Sequence, residues 1–448
     1  MHDRFNGPRF TLARFRSRAA ALLLVCASSA WSATIYVTPK GDHKKPFKTL
    51  KTASKDIQSA LDVAKAGDTV LVTKGVYDSG GRSSKRKALK NRAMIKGAIT
   101  LRSIDGPKET IILGQVDERT GNYGPGATRG LYAAAKATVI GFTIKDGFTA
   151  AEGDNGNGGG AYVTTGATLS NCVFIQNAAY ISGGAIYATG QDTRVIDCVV
   201  DGNSAESGGG VFVADLATIR DCDLTFNTAL ESGGALYSDR GFVSDCLVAT
   251  NRAKFGGGIF FNGGEGGGAT FAKNCTVVSN RAPNGAGIVV AGGVVQGFEI
   301  RQNVAAHHGG GAVVEAGTIR NSKLYRNLAE SGGGVYCLKI GNVEKCAVTL
   351  NSASQNGGGV VVEGNGRLGS STIATNTAPR GGGVWLDGES VRDCMIFENT
   401  AMLTGGGVSV TRGTLASSVV RLNAAKESGG GVQLHGAKAL VLDCRVER

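Results

Sequence analysis

The sequence predicts an all-β chain wound as a parallel β-helix solenoid, and three observations predict it. Glycine supplies 70 of 448 residues without the every-third spacing of collagen. An asparagine recurs about every 24 residues, as Asn177, Asn203, Asn227, Asn251, Asn280, Asn303, Asn327, Asn351, Asn376, Asn399 and Asn423. Around each of them the apolar residues alternate with period two. A hydrophobe stands three residues before (Phe174, Val200, Leu224), another eight before (Leu169, Val195, Ile219), and an alanine two after (Ala179, Ala205, Ala229). Such a unit holds three short strands and no helical pattern. One unit cannot bury its own inner face, whereas stacked copies bury a continuous core. Adjacent strands lie ~4.8 Å apart, so about 12 turns give a rod roughly 55 Å long.

The elements follow in order. Residues 1–32 read as a secretory signal peptide. Arg4, Arg9, Arg14, Arg16 and Arg18 precede the apolar run Ala19 to Ala27, and Ala30-Trp31-Ser32 fits a small-x-small cleavage site. No later run is long enough for a transmembrane helix. Residues 33–150 open the rod as cap and first coils. Ile35 to Val37, Asp68 to Thr73, Ile99 to Ile104, Thr110 to Leu113 and Thr138 to Ile144 are the predicted strands. Ile57, Ala60, Leu61 and Ala64 follow helical spacing, with Gly67 as the stop, and predict an N-terminal capping helix. Residues 151–448 are the repetitive coils. Gly263 to Gly268 reads as a loop insertion in the one long interval.

Each column has a chemical meaning. The asparagines can donate to one neighbouring turn and accept from the other, building a ladder. Six residues before each comes a set including Asn171, Asp197, Asp221, Asp245, Asn274, Gly297, Lys345 and Ser370, mostly types that tolerate left-handed backbone, so this column is a corner. The glycine runs allow tight approach of neighbouring turns. Eight cysteines share one inward column (Cys172, Cys198, Cys222, Cys246, Cys275, Cys346, Cys394, Cys444). Buried free thiols are favoured over disulfides, because in-register stacking leaves Cβ atoms too far apart.

Phe174-Ile175-Gln176-Asn177 with Gly183-Gly184-Ala185-Ile186 resembles the FxxN and GGAI repeats of chlamydial polymorphic outer-membrane proteins. Ala66 to Asp78 (AGDTVLVTKGVYD) resembles the first turns of pectate-lyase-like right-handed β-helix proteins. The first resemblance covers about residues 150–448 and the second about 33–145. They imply a right-handed helix and an adhesin-like role at a bacterial surface. The chlamydial proteins carry a C-terminal membrane barrel, which is not expected in this sequence; Arg448 falls just short of the next asparagine position, which reads either as an incomplete reading frame or as a charged end that blunts an open edge.

The candidate site is the middle position of the strand after each glycine run. Its neighbours face in, so it faces out. On five consecutive rungs it carries Tyr162, Tyr187, Phe212, Tyr237 and Phe260, continuing as Val289, Val313, Tyr336, Val361, Trp385, Ser409 and Gln433. Rings at this spacing suit a polysaccharide or an extended partner, and equally suit stacking on one another. The alternative function is a polysaccharide lyase or hydrolase on the same fold. Asp197, Asp221 and Asp245 stack, but the corner explains them, with Arg220 and Arg320 as counter-ions. His307-His308 falls in a polar turn, and Arg82 to Arg92 reads as a solvated basic loop. There is no Ser-His-Asp set and no phosphate loop. No cofactor, metal or catalytic residue is implied. The net charge of +12 is thinly spread, and no nucleic acid partner is implied. The expectation is an exported, non-catalytic protein binding a polysaccharide or a cell-surface partner, secreted or held at the outer membrane.

Overall fold

A computed structural model describes residues 32–84, 88–263 and 270–448. The predicted signal peptide therefore lies outside the described residues, apart from Ser32. One turn shows how the sequence winds. After Gly183-Gly184 comes strand Ile186–Thr189, then Arg194–Ile196, a corner at Asp197, strand Val199–Asp201, Asn203, and a last strand Ser204–Ser207 before Gly208. Each strand pairs in parallel with its counterpart one turn on: Ile186 with Val211, Val195 with Ile219, Val200 with Leu224, Ala205 with Ala229. The result is a parallel β-solenoid whose stacks continue unbroken across residue 150.

The third stack is a 15-stranded sheet. The first two form one 28-stranded sheet. They merge late in the chain, where long strands such as Val384–Arg392 and Val408–Ala416 run through the bend. Three strands per turn were expected. A fourth short strand follows the asparagine on many turns and forms 7-stranded and 2-stranded sheets. It buries the alanine two residues after the asparagine, as at Ala205, Ala229 and Ala353.

The bore is filled by alternate residues of the first three strands. Ile186, Ala188, Val195, Cys198 and Val200 belong to one core that runs from Ile35 to Val420. Fully burying a valine or isoleucine is worth roughly 1.5–3 kcal/mol, so this column repetition is the main source of stability. The nine cysteines of the described residues are free thiols, all but Cys444 buried. Burial pushes Cys346 up to about 12 and Cys394 up to about 11, so both stay protonated and unreactive at neutral pH.

Polar columns hold the bends. Each asparagine Nδ2 donates to the Oδ1 of the next, for example Asn203 to Asn227 at 3.0 Å and Asn251 to Asn280 at 3.0 Å. The backbone N–H of the same residue donates to that oxygen too, at 3.0 Å from Asn203. Nδ2 also reaches a carbonyl of the preceding turn, Asn203 to Phe174 at 3.1 Å. Successive asparagines are 23 to 29 residues apart. The corner column is left-handed throughout, with φ between 48° and 68° from Asn171 to Ser417. The residue just before the asparagine is left-handed as well, and there side-chain type gives no warning: Phe226, Thr250, Arg326 and Leu350 have φ from 53° to 59°. Glycine is forced by contact at Gly184, where a Cβ would lie 2.2 Å from the Gly209 carbonyl oxygen.

The N-terminal turns differ from expectation in detail. The helix is Ile57–Leu61, capped by Asp56, whose Oδ1 accepts from Ser59 N–H at 2.8 Å. It stops at Asp62, well before Gly67, because the chain must then run to strand Thr69–Val72. Ile57, Ala60 and Leu61 are buried in the common core. Thr138 to Ile144 is two strands divided at Gly141, whose φ is 82°. The basic stretch is not simply a solvated loop. Arg82–Ser83 pairs antiparallel with Lys90–Ile95, and Arg92 is buried, donating to the Leu113 carbonyl at 2.7 Å. Residues 85–87 within it lie outside the described residues. Among the described residues no helix is long and apolar enough to cross a membrane.

Candidate functional site

The glycine-following strands place Tyr162, Tyr187, Phe212, Tyr237 and Phe260 directly opposite one another. The structure adds a sixth ring, Tyr132, in register with Tyr162. Tyr132 lies outside the repeat pattern because the turns before residue 150 lack both the asparagine and the glycine run; its sequence signal is Gly130-Leu131-Tyr132-Ala133. Ring centroids are 5.7, 5.0, 5.1, 4.9 and 5.1 Å apart along the ladder. Ring planes of the last four are within 10° of parallel.

These numbers decide how the rings can be used. Coplanar rings meeting edge to edge cannot approach as close as about 5 Å, so near-parallel rings at this distance are offset-stacked. Each inner ring therefore spends much of both faces on its neighbours. What the ladder offers outward is ring edges and phenol hydroxyls, not open faces. The hydroxyls of Tyr132, Tyr162, Tyr187 and Tyr237 bond to no protein group among the described residues. Half-burial raises the pKa of Tyr162, Tyr187 and Tyr237, and the Asp154, Asp215 and Asp239 carboxylates add to it, Asp154 at Tyr162 and Tyr187, Asp215 at Tyr187, Asp239 at Tyr187 and Tyr237. At neutral pH all three remain protonated donors.

Beyond Phe260 the column changes character. Val289, Val313, Val361 and Ser409 are buried, not exposed as the strand alternation implied. The left-handed glycine of the same turn folds over a short side chain: a Cβ on Gly285 would meet Val289 Cγ2 at 2.4 Å. A ring is long enough to project past that bend, and a valine is not. Tyr336 is engaged by Glu363 through its hydroxyl, and the His308 ring lies 4.5 Å from its own. His308 thus ends strand Val304–His308 instead of sitting in a polar turn. Burial lowers its pKa, so it is neutral at pH 7.

At the other end the ladder opens into a hollow of about 570 Å³ lined by Asn91, Met94, Arg129, Tyr132, Asp154 and Tyr162, among others. Arg129 forms its floor. It is buried and donates to the carbonyls of Gly158 (2.8 Å), Asp154 (3.1 Å) and Asn157 (2.7 Å) and to Asn91 Oδ1 (3.0 Å). Its guanidinium lies 5.4 Å from the Tyr162 ring centroid. Burial lowers its pKa to about 10, which still leaves it charged at neutral pH. A buried cation held by neutral acceptors is costly unless every donor is satisfied, and four bonds supply most of that need here.

The acidic column is taken up by the corners. Asp197, Asp221 and Asp245 sit at left-handed corners. Asp221 is paired with Arg220, and Asp245 accepts from Asn274 at 3.2 Å. Arg320 bonds Gln296 at 3.1 Å, not an aspartate. No cluster of three His, Cys, Asp or Glu suited to a metal occurs among the described residues.

Residues 130–327 match the family model described as the right handed beta helix region. The chain is accordingly an all-β, right-handed parallel β-solenoid. Solved structures are similar at low identity. The A-module of the mannuronan C-5 epimerase AlgE4 of Azotobacter vinelandii shares 12% identity over 87% of this chain and 90% of its own, with a TM-score of 0.34. A mutant tailspike protein of the E. coli bacteriophage HK620, solved with a hexasaccharide, shares 10% over 91% and 80%, with a TM-score of 0.42. An alginate lyase from Paenibacillus sp. shares 15% over 88% and 96%, with a TM-score of 0.25. No curated protein sequence matches the chain significantly.

Proposed function

We propose that this chain is an exported, non-catalytic binding protein that holds a polysaccharide along its aromatic ladder. The observation that carries the reading is the ladder itself: six stacked rings, four with unbonded hydroxyls, leading into a hollow floored by a charged Arg129. Regularly spaced donors and ring edges, bordered by Asp154, Asp215 and Asp239, suit a polymer of repeating hydroxyls. The Arg-rich leader with its apolar run and small-x-small site supports export. The resemblance to chlamydial surface repeats supports an adhesin-like role at a bacterial surface. At the start of the rod, helix Ile57–Leu61 serves as a plug between the apolar bore and water.

The test is size-exclusion chromatography of the purified chain with neutral and acidic polysaccharides. Binding without catalysis carries protein into the polymer peak and leaves polymer length unchanged. Replacing Tyr187, Phe212 and Tyr237 by Ala should weaken retention at least tenfold, since removing stacked aromatic anchors is worth more than ~1.4 kcal/mol of binding. Shortened polymer would replace this reading with the lyase or hydrolase one. Unchanged retention of the triple variant would move binding off the ladder.

A further inference from the structure

We infer that Arg252 and Arg281 form a second binding site, for a tetrahedral oxyanion ester, sulfate or phosphate, carried on a polysaccharide. The inference is independent of the ladder, which lies on another sheet. The residue after each ladder asparagine is neutral on the flanking turns: Ser204 and Thr228 before, Val304 and Leu328 after. Only at 252 and 281 is it basic, and these two are paired in parallel register. Like charges directly opposite on neighbouring strands oppose each other. Both side chains are exposed, and among the described residues neither guanidinium has an ion-pair or hydrogen-bond partner. Glu231, on the preceding turn, is engaged by Lys254 at 3.3 Å.

The surroundings give the pair a use. On one side is a groove of about 230 Å³ that Thr228, Thr250 and Ser279 line with hydroxyls. On the other is a largely apolar hollow of about 470 Å³ walled by Ala253, Pro283 and Val304. Both arginines line both. Two guanidinium forks and three hydroxyls offer more donors than the two oxygens of a carboxylate can accept, but match the three free oxygens of a sulfate or phosphate monoester. The apolar hollow beside them suits the C–H face of the sugar that bears the ester. An anion bridging the two arginines would turn their repulsion into attraction.

The test uses one backbone with four chemistries: plain, carboxymethyl, sulfated and phosphorylated dextran, each titrated against the purified chain. The sulfated or the phosphorylated polymer should bind at least tenfold more tightly than the carboxymethyl one, and the tighter of the two names the ester. Arg252→Gln and Arg281→Gln should each weaken that binding several-fold, and the double variant should reduce it to the level of plain dextran. A control, Lys345→Gln with Arg380→Gln, removes the same charge from other turns and should bind as the unaltered chain does. Circular dichroism verifies that all variants are folded. Equal binding of carboxymethyl dextran, undiminished binding by the double arginine variant, or an equal loss in the control would each overturn the site.

Discussion

The molecule carries two ladders of stacked side chains at the same spacing, and they differ in extent. The asparagine ladder runs without a gap from Asn177 to Asn423 and is buried as far as Asn399. The aromatic ladder lies on the outer face, covers six turns from Tyr132 to Phe260, and then gives way to Val289 and Val313. Turns with valine in that column wind as turns with tyrosine do. From Asn177 onward, a column carried by every turn belongs to the winding of those turns; one that lapses among them does not, and its chemistry is free to serve a partner. The thiol column falls between, since Phe298, Ser322, Ser371 and Ser418 replace cysteine on other turns and are equally buried.

The contrast is broken most severely from the inside. Asn251→Ala removes the acceptor of both the Asn227 amide and the Asn227 backbone N–H, and the donor to Asn280. Leaving such buried groups unpaired costs roughly 1–3 kcal/mol each, so the variant should lose ~3 kcal/mol or more, read as the midpoint of guanidinium unfolding. An unchanged midpoint would show that the ladder is incidental. The outer ladder gives a smaller, pH-dependent effect. The folded chain holds the phenol protons of Tyr162, Tyr187 and Tyr237 more tightly than an unfolded chain, whose tyrosines titrate near 10. Above pH 10 the unfolded state therefore binds fewer protons, and stability falls as pH rises. Replacing the three by Phe should flatten the difference in midpoint between pH 8 and pH 11; an equally steep loss would place the cause elsewhere. The smallest effect sharpens the comparison in the opposite sense. Leu350 is half-exposed and held at φ 57°, so Leu350→Asn should raise stability by roughly 0.5–1 kcal/mol by relieving a left-handed leucine.

What could be read in advance follows from which columns leave a chemical trace. Asparagine, the corner residues and the glycine runs are selected by side-chain chemistry or by the lack of a Cβ, so they stand out by type. The second left-handed position does not. Phe226, Thr250 and Leu350 are no better suited to it than any residue, and the conformation is imposed by the asparagine beside them, whose N–H is tied to the next turn. The fourth strand left only a lone alanine as its mark, because its other residues, such as Ser204, Glu206 and Ser207, face solvent or the bend. The ring column was legible by period; its stacking and the hollow at Arg129 were not. Those depend on rotamers and on Asn91 and Asp154, brought from distant parts of the chain.

The most direct measurement separates the two ladders by removing three oxygen atoms. Tyr162→Phe, Tyr187→Phe and Tyr237→Phe together keep the stacked rings and remove three of the four outward hydroxyls, leaving only that of Tyr132. Unfolding midpoint at pH 7 and polysaccharide retention are measured on the same preparation. The expected result is an unchanged midpoint and retention weakened at least tenfold, because the variant keeps the stacked rings and loses only hydroxyls that face the ligand. Full retention by the ladder stripped of these three hydroxyls would contradict their role in binding.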